Sequence, residues 1–220
     1  MAGRYLIGNP VFVARVAREA IRQSGAQRVL DIAVAGGALL ALSPVFLATA
    51  AAIRLDSRGQ VFFSQTRIGM DGQPFPMLKF RSMHVDAEAR RTALLAASDR
   101  AGVCFKARHD PRITRVGRML RRFSIDELPQ ILNVLRGEMS IVGPRPALPQ
   151  EVAAYPARAL GRLAVKPGIT GVWQVSGRAE IGFDKMVDMD LAYARSRSML
   201  LDILLIALTF RAVLSGRGAY

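Results

Sequence analysis

Asp126 and Glu127 are adjacent carboxylates at the end of the most cationic stretch of the chain. Lys106, Arg108, Arg112, Arg115, Arg118, Arg121 and Arg122 precede them, with Asp110 the one acid among these cations. Two acids beside such a density of positive charge suit a magnesium-assisted phosphoryl centre. Arginines and a helix N-terminus would hold phosphate, while the carboxylates hold the metal or attack. The same pair also fits an ordinary first helical turn. Ser124 stands at a cap position and Glu127 follows at capping-box spacing. Spacing alone leaves both readings open.

Other cations have the geometry to join such a centre. Lys79 and Arg81 alternate in an extended run, so both lie on one face of a strand and can reach a diphosphate. Arg112 belongs to the basic run as a further phosphate ligand. Arg145 sits between Pro144 and Pro146, whose rings preset the backbone and so aim its guanidinium. Each of these also fits a plain solvated surface. The single cysteine, Cys104, excludes an internal disulfide, and His84 and His109 stand too far apart for a helical zinc pair. A hard cation on carboxylates is the metal chemistry that remains. No P-loop, dinucleotide-binding or nucleophile-elbow motif occurs.

The elements that must carry these residues begin with an uncharged run of 22 residues, Ile32–Ile53. As a helix it would be about 33 Å long, near the thickness of a bilayer core. A transmembrane span, a signal peptide and a buried core helix all compete for it. Pro44, preceded by Ser43, predicts a break in its middle, with the Ser43 hydroxyl placed to satisfy a freed carbonyl. Arg15, Arg18, Arg22 and Arg28 lie before the run, and Arg54, Arg58 and Arg67 lie after it. Positive flanks on both sides favour a re-entrant helix that enters and leaves by the cytoplasmic face. Residues 10–23 read as a basic amphipathic helix on an anionic membrane surface.

Further along, the pattern predicts a strand at 61–65, a turn at 69–72 and a second extended segment at 74–83. Helices are expected over 85–97, 111–135 and 183–196, with a short strand or turn entry at 172–175. The run 199–210 is apolar but too short to span, so it should lie in the interface or pack on the broken helix. The predicted class is α/β, mostly α. Residues 1–58 form a membrane anchor and 59–220 a small domain on the cytoplasmic face.

Composition agrees with that plan. Of 220 residues, 31 are Lys or Arg against 17 Asp or Glu, a formal +14, yet 51% are hydrophobic. Basic and apolar together point to a membrane surface or to phosphate ligands held near one, rather than to nucleic acid. So high an apolar fraction also excludes disorder as the main state.

The run 126–146, DELPQILNVLRGEMSIVGPRP, resembles the signature of bacterial sugar transferases, specifically the monotopic polyprenyl-phosphate phosphoglycosyl transferases. Lys79-Phe-Arg-Ser-Met83, the block 166–178 (KPGITGVWQVSGR) and the pattern from Asp190 to Asp202 agree. The likeness extends from about residue 28 to the end, and Ala194-Arg-Ser-Arg197 departs from the usual pattern.

The resemblance implies transfer of a hexose 1-phosphate, glucose or galactose, from a UDP-sugar to undecaprenyl phosphate, with release of UMP. It implies Mg²⁺ as cofactor, Asp126 as covalent nucleophile with Glu127 completing the dyad, and Ser43-Pro44 as the membrane break. Pro144, Arg145 and Pro146 would lie near the nucleotide, and Asp190 joins the substrate-binding set. It also implies a small member of the family without a multi-span N-terminal extension, at the bacterial inner membrane among anionic lipids. A homodimer is one open state. Two rivals remain at this stage: a non-catalytic basic membrane scaffold or nucleic-acid binder, and a glycosyltransferase that moves the sugar without its phosphate.

Overall fold

The computed structural model describes residues 23–87, 89, 110–177 and 181–215. The expected surface helix at 10–23 falls almost entirely outside them. So does the helix at 85–97, except for a turn at 85–87.

Ser24 starts α1 (Gly25–Ala41) with a capping box: its hydroxyl accepts from Gln27 N, and Gln27 Oε1 accepts from Ser24 N. The helix breaks at Leu42 and resumes as α2 (Ser43–Asp56), bent by 60°. The physical cause is local. Pro44 has no N–H to donate to Leu40 O, and the Ser43 hydroxyl donates to that carbonyl instead, at 2.8 Å. No single helix among the described residues is long and apolar enough to cross a membrane, but this bent pair passes the same test together. Val29, Leu40, Leu47 and Leu55 are strongly exposed along it.

The predicted strand–turn–strand forms as an antiparallel hairpin of β1 (Phe62–Ile68) and β2 (Pro74–Phe80), in register Phe63↔Lys79 and Gln65↔Met77. A turn over Met70–Gly72 joins them, where Asp71 and Gly72 both take positive φ. The helical stretch expected over 111–135, with a second start at Ser124, forms two helices. α3 (Arg115–Arg122) is followed by a 3₁₀ turn at Ile125–Glu127 and then α4 (Gln130–Arg136). Pro129 accounts for part of the break, since it cannot donate to a continuing helix.

Ser124 accounts for the rest, and here the capping-box expectation is corrected. Ser124 adopts a left-handed conformation, φ 55°, and makes no side-chain cap. Its N–H closes on Arg121 O, so it ends α3 rather than starting α4. A non-glycine residue in that region is strained. The strain stands immediately before the turn that carries Asp126 and Glu127.

β3 (Ser140–Val142), α5 (Pro149–Ala153) and β4 (Gly168–Thr170) come next, with a 3₁₀ segment at Ala157–Ala164 between the last two. β3 and β4 pair in parallel. The approach is so close that a Cβ on Gly168 would stand 2.0 Å from Gly143 N, which explains glycine there. Residues 172–175, expected as strand or turn, belong to a short helix, α6 (Val172–Ser176). α7 (Phe183–Ser196) keeps its expected bounds, and α8 (Met199–Ser215) runs five residues past the expected end. The described residues are mostly helical, with two small two-stranded sheets among them.

One core joins Ala35 of α1, Phe75 and Met77 of β2, Ile131 and Val134 of α4, and Met139. A second joins Ile53 of α2, Phe80 and Leu120. Burying each such side chain is worth about 1.5–3 kcal/mol, so both arms of the broken helix are held on the hairpin and on α3–α4. Buried polar contacts add specificity. Asp31 of α1 accepts from Ser140 Oγ and Ile141 N, and Gln27 donates to Asp202 of α8. The unusual Arg197 is buried and donates to Ser140 Oγ at 3.1 Å.

Candidate active site

The 3₁₀ turn at Ile125–Glu127 lies against β2, and this packing brings Glu127 to Lys79 across 48 residues of sequence. Lys79 Nζ donates to Glu127 Oε1 at 2.8 Å, and Arg145 Nη1 stands 3.5 Å from the same oxygen. Asp126 is buried. Among the described residues nothing hydrogen-bonds its carboxylate; it is held by the charges of Lys79, Arg121 and Arg145.

The two acids are electrostatically unlike. Burial pushes both carboxyls upward. For Asp126 burial prevails, aided by the Glu127 charge, over the pull of Lys79, Arg121 and Arg145, so its pKa lies above the ordinary aspartate value. For Glu127 burial is outweighed by Lys79 and Arg145, which bring it down to about 2. Glu127 is therefore a fixed anion at neutral pH. Asp126 is the more basic carboxylate of the pair.

Both acids line a cavity of about 1190 Å³. Its walls include Lys79, Arg121 and Arg145 at the dyad, and Ala38, Leu42 and Val45 at the helix break. One space thus joins a cationic, carboxylate-bearing end to an apolar end where the helix bends.

The other sequence-predicted residues are distributed around it. Arg81 lines the cavity but donates to Arg58 O and Ser57 O, tying the end of α2 to the hairpin, so it does not join Lys79 at the dyad. Arg112 is buried, bonded through Nε and Nη2 to Asp110 and through Nη1 to Ala87 O, with its side chain on the cavity wall. Pro146 also lines the cavity, whereas Pro144 accepts from Gly168 N and lies behind. Asp190 does not line the cavity; it is buried beneath Arg162, whose Nε donates to it at 2.8 Å. Ser43 and Pro44 form the break itself.

Three arginines at the site were not singled out from the sequence: Arg121 was named only within the basic run, Arg67 only as a flanking charge, and Arg162 not at all. Arg121 neighbours Asp126 electrostatically and bonds Ser82 Oγ. Arg67 is buried and donates to Pro146 O. Arg162 lies buried in an irregular segment, 28 residues from its carboxylate partner. Arg121 could have been singled out from the basic run before the dyad. Nothing local marks Arg162.

This fold and site define a class. The sequence profile of the family described as bacterial sugar transferase matches residues 22–216. The chain belongs to that family and is a transferase. It is 46% identical over 195 residues to the galactosyl transferase CpsE of Streptococcus agalactiae serotype III, covering 88% of this chain and 43% of that one. It is 40% identical over 207 residues to the exopolysaccharide production protein ExoY of Sinorhizobium fredii, covering 91% and 92%. It is 42% identical over 205 residues to the undecaprenyl-phosphate glucose phosphotransferase of Komagataeibacter xylinus, covering 88% and 37%. The chain therefore spans less than half of two of these relatives and nearly all of the third.

Proposed function

We propose that this protein transfers a hexose 1-phosphate, glucose or galactose, from a UDP-sugar to undecaprenyl phosphate, with Asp126 as covalent nucleophile. The observation that carries the reading is the cavity that joins the Asp126–Glu127 dyad to the break in an apolar helix pair. A water-soluble nucleotide sugar and a lipid phosphate must meet at one atom, and such a space admits both. The name of the Komagataeibacter relative, an undecaprenyl-phosphate glucose phosphotransferase, supports the same acceptor and reaction class.

In the first step an Asp126 carboxylate oxygen attacks the phosphorus that bears the sugar. The Asp–O–P bond forms, the bond to the α-phosphate breaks, and UMP leaves with the electron pair. In the second step an oxygen of undecaprenyl phosphate attacks that same phosphorus. A diphosphate linkage forms and Asp126 is released as carboxylate. Lys79, Arg121 and Arg145 stabilise the charge gathered on the phosphoryl oxygens. The ionised Glu127 orients Lys79 and Arg145.

Mg²⁺ fits this donor set. Asp126 has no hydrogen-bond partner among the described residues, and Glu127 commits Oε1 to Lys79 and Arg145. Asp126 and the remaining Glu127 oxygen would hold it. No cluster of three or more metal-ligating side chains occurs among the described residues, so donor phosphates and water would complete the shell, a usual arrangement for this ion. When bound, it neutralises phosphate charge.

The bent pair α1–α2 enters and leaves an anionic inner membrane by the cytoplasmic face, with residues 1–58 as anchor and 59–220 as the transferase unit. The experiment is intact-mass analysis of wild type given UDP-glucose or UDP-galactose without lipid. The expected result is a gain of one hexose phosphate on the peptide containing Asp126, and none in Asp126→Asn. Asp126→Asn also loses turnover while staying folded. Lipid product forming under single-turnover conditions with no adduct would leave direct attack by the lipid phosphate in its place.

A further inference from the structure

Two buried guanidinium groups hold the backbone of the 144–146 loop from different elements. Arg67 of β1 donates Nη1 to Pro146 O at 3.1 Å and Nη2 to Gln65 Oε1 at 2.7 Å. Arg162, from the Ala157–Ala164 segment and 4% exposed, donates from each of its three nitrogens. Nε reaches Asp190 Oδ2 at 2.8 Å, Nη1 reaches Tyr155 Oη at 2.5 Å, and Nη2 reaches Arg145 O at 3.3 Å.

The side chain carried by that loop has the opposite character. Arg145 is 40% exposed, and its contact with Glu127 is a single one at 3.5 Å. An exposed arginine loses much rotamer freedom when it is held still. One long contact does little to hold it, so its backbone must supply the aim. A buried Arg–Asp pair is by itself a poor source of stability, because desolvation offsets its attraction. What distinguishes Arg162 is that its remaining arm ends on the carbonyl of the residue facing Glu127.

We infer that Arg162, oriented by Asp190 and Tyr155, is a positioning residue for the transfer reaction: it fixes the Arg145 backbone so that the Arg145 guanidinium stays beside Glu127 and meets the donor diphosphate. Arg162 acts through Arg145 and touches no reacting atom. The inference rests on the hexose-phosphate transfer reading above.

A double-mutant cycle tests it. Wild type, Arg162→Met, Arg145→Ala and the double variant are assayed in nanodiscs with undecaprenyl phosphate and UDP-glucose or UDP-galactose, whichever wild type turns over. Arg162→Met is expected to lower kcat/KM for the donor about tenfold, and in the Arg145→Ala background to lower it no further. Arg162→Lys keeps a counter-charge for Asp190 but loses the three-armed fork. It runs through the same cycle and carries the test if the methionine variant fails to fold. Its expected loss is smaller and again vanishes without the Arg145 side chain. Losses that multiply across the two sites, or a lysine variant with a lowered melting temperature and unchanged kcat and KM, overturn the positioning role alone. A wild-type protein that transfers no sugar phosphate overturns the function reading and this inference together.

Discussion

Replacing Lys79 by methionine removes a cation in direct contact with Glu127 while keeping side-chain length. Lys79 Nζ lies 2.8 Å and Arg145 Nη1 3.5 Å from Glu127 Oε1. At an effective dielectric near 20, such contacts attract by roughly 6 and 5 kcal/mol before desolvation is subtracted. Arg145 is 40% exposed and so further screened, whereas Lys79 is 17% exposed; Lys79 therefore holds the larger share. The net result is a Glu127 carboxyl brought from 4.5 down to about 2. That difference is worth on the order of 3 kcal/mol in favour of the ionised form. Without Lys79, Glu127 rises because it loses the largest of the pulls that oppose its burial, and Asp126, already raised, rises further because Lys79 is the first of the charges that lower it. The measurement is kcat/KM against pH, followed by nucleotide release. The acid limb should move to higher pH by about one unit or more in Lys79→Met. It should stay near the wild-type position in Lys79→Arg, which keeps the charge. A limb that stays in place while only the donor KM rises would refute the electrostatic account and leave Lys79 as a donor ligand.

Two further outcomes follow from the same geometry. Cysteines replacing Arg15 and the exposed Arg58 in a Cys104→Ser background should both be labelled from the cytoplasmic side, whereas Pro44→Ala should straighten α1–α2 enough to cross and expose one label on the far side; labels on opposite faces of the parent protein would establish a span. Burial, opposed by Arg162, pushes Asp190 up to about 6, so the folded state binds this proton more tightly than the unfolded chain does. The group's contribution to stability is then complete below about pH 4 and is lost as pH rises through about 6, on the order of 3 kcal/mol across that window. Asp190→Asn should lack that decline in urea midpoints measured across it, and parallel wild-type and variant curves would remove Asp190 as its source.

The break in the apolar helix was legible from Ser43 and Pro44 because its cause is local. A missing N–H and a neighbouring hydroxyl act within one turn, and the hydroxyl does close on Leu40 O. The hairpin was legible for the same reason, through alternation and turn glycines. The dyad was visible as a charge pattern, and the family signature around it gave the class. Tertiary structure decided what each cation does. Lys79 and Arg81 share a sequence face, yet packing gives one to Glu127 and the other to the carbonyls that end α2. Ser124 has the spacing of a helix cap, but the chain must turn sharply between α3 and the dyad, and a left-handed residue does that where a cap cannot. Asp190 looked like a ligand and is the buried partner of Arg162, a pairing across 28 residues that no local pattern encodes. Short-range backbone chemistry is written in neighbouring residues. The destination of a long charged side chain depends on which elements pack beside it, and only the folded chain sets that.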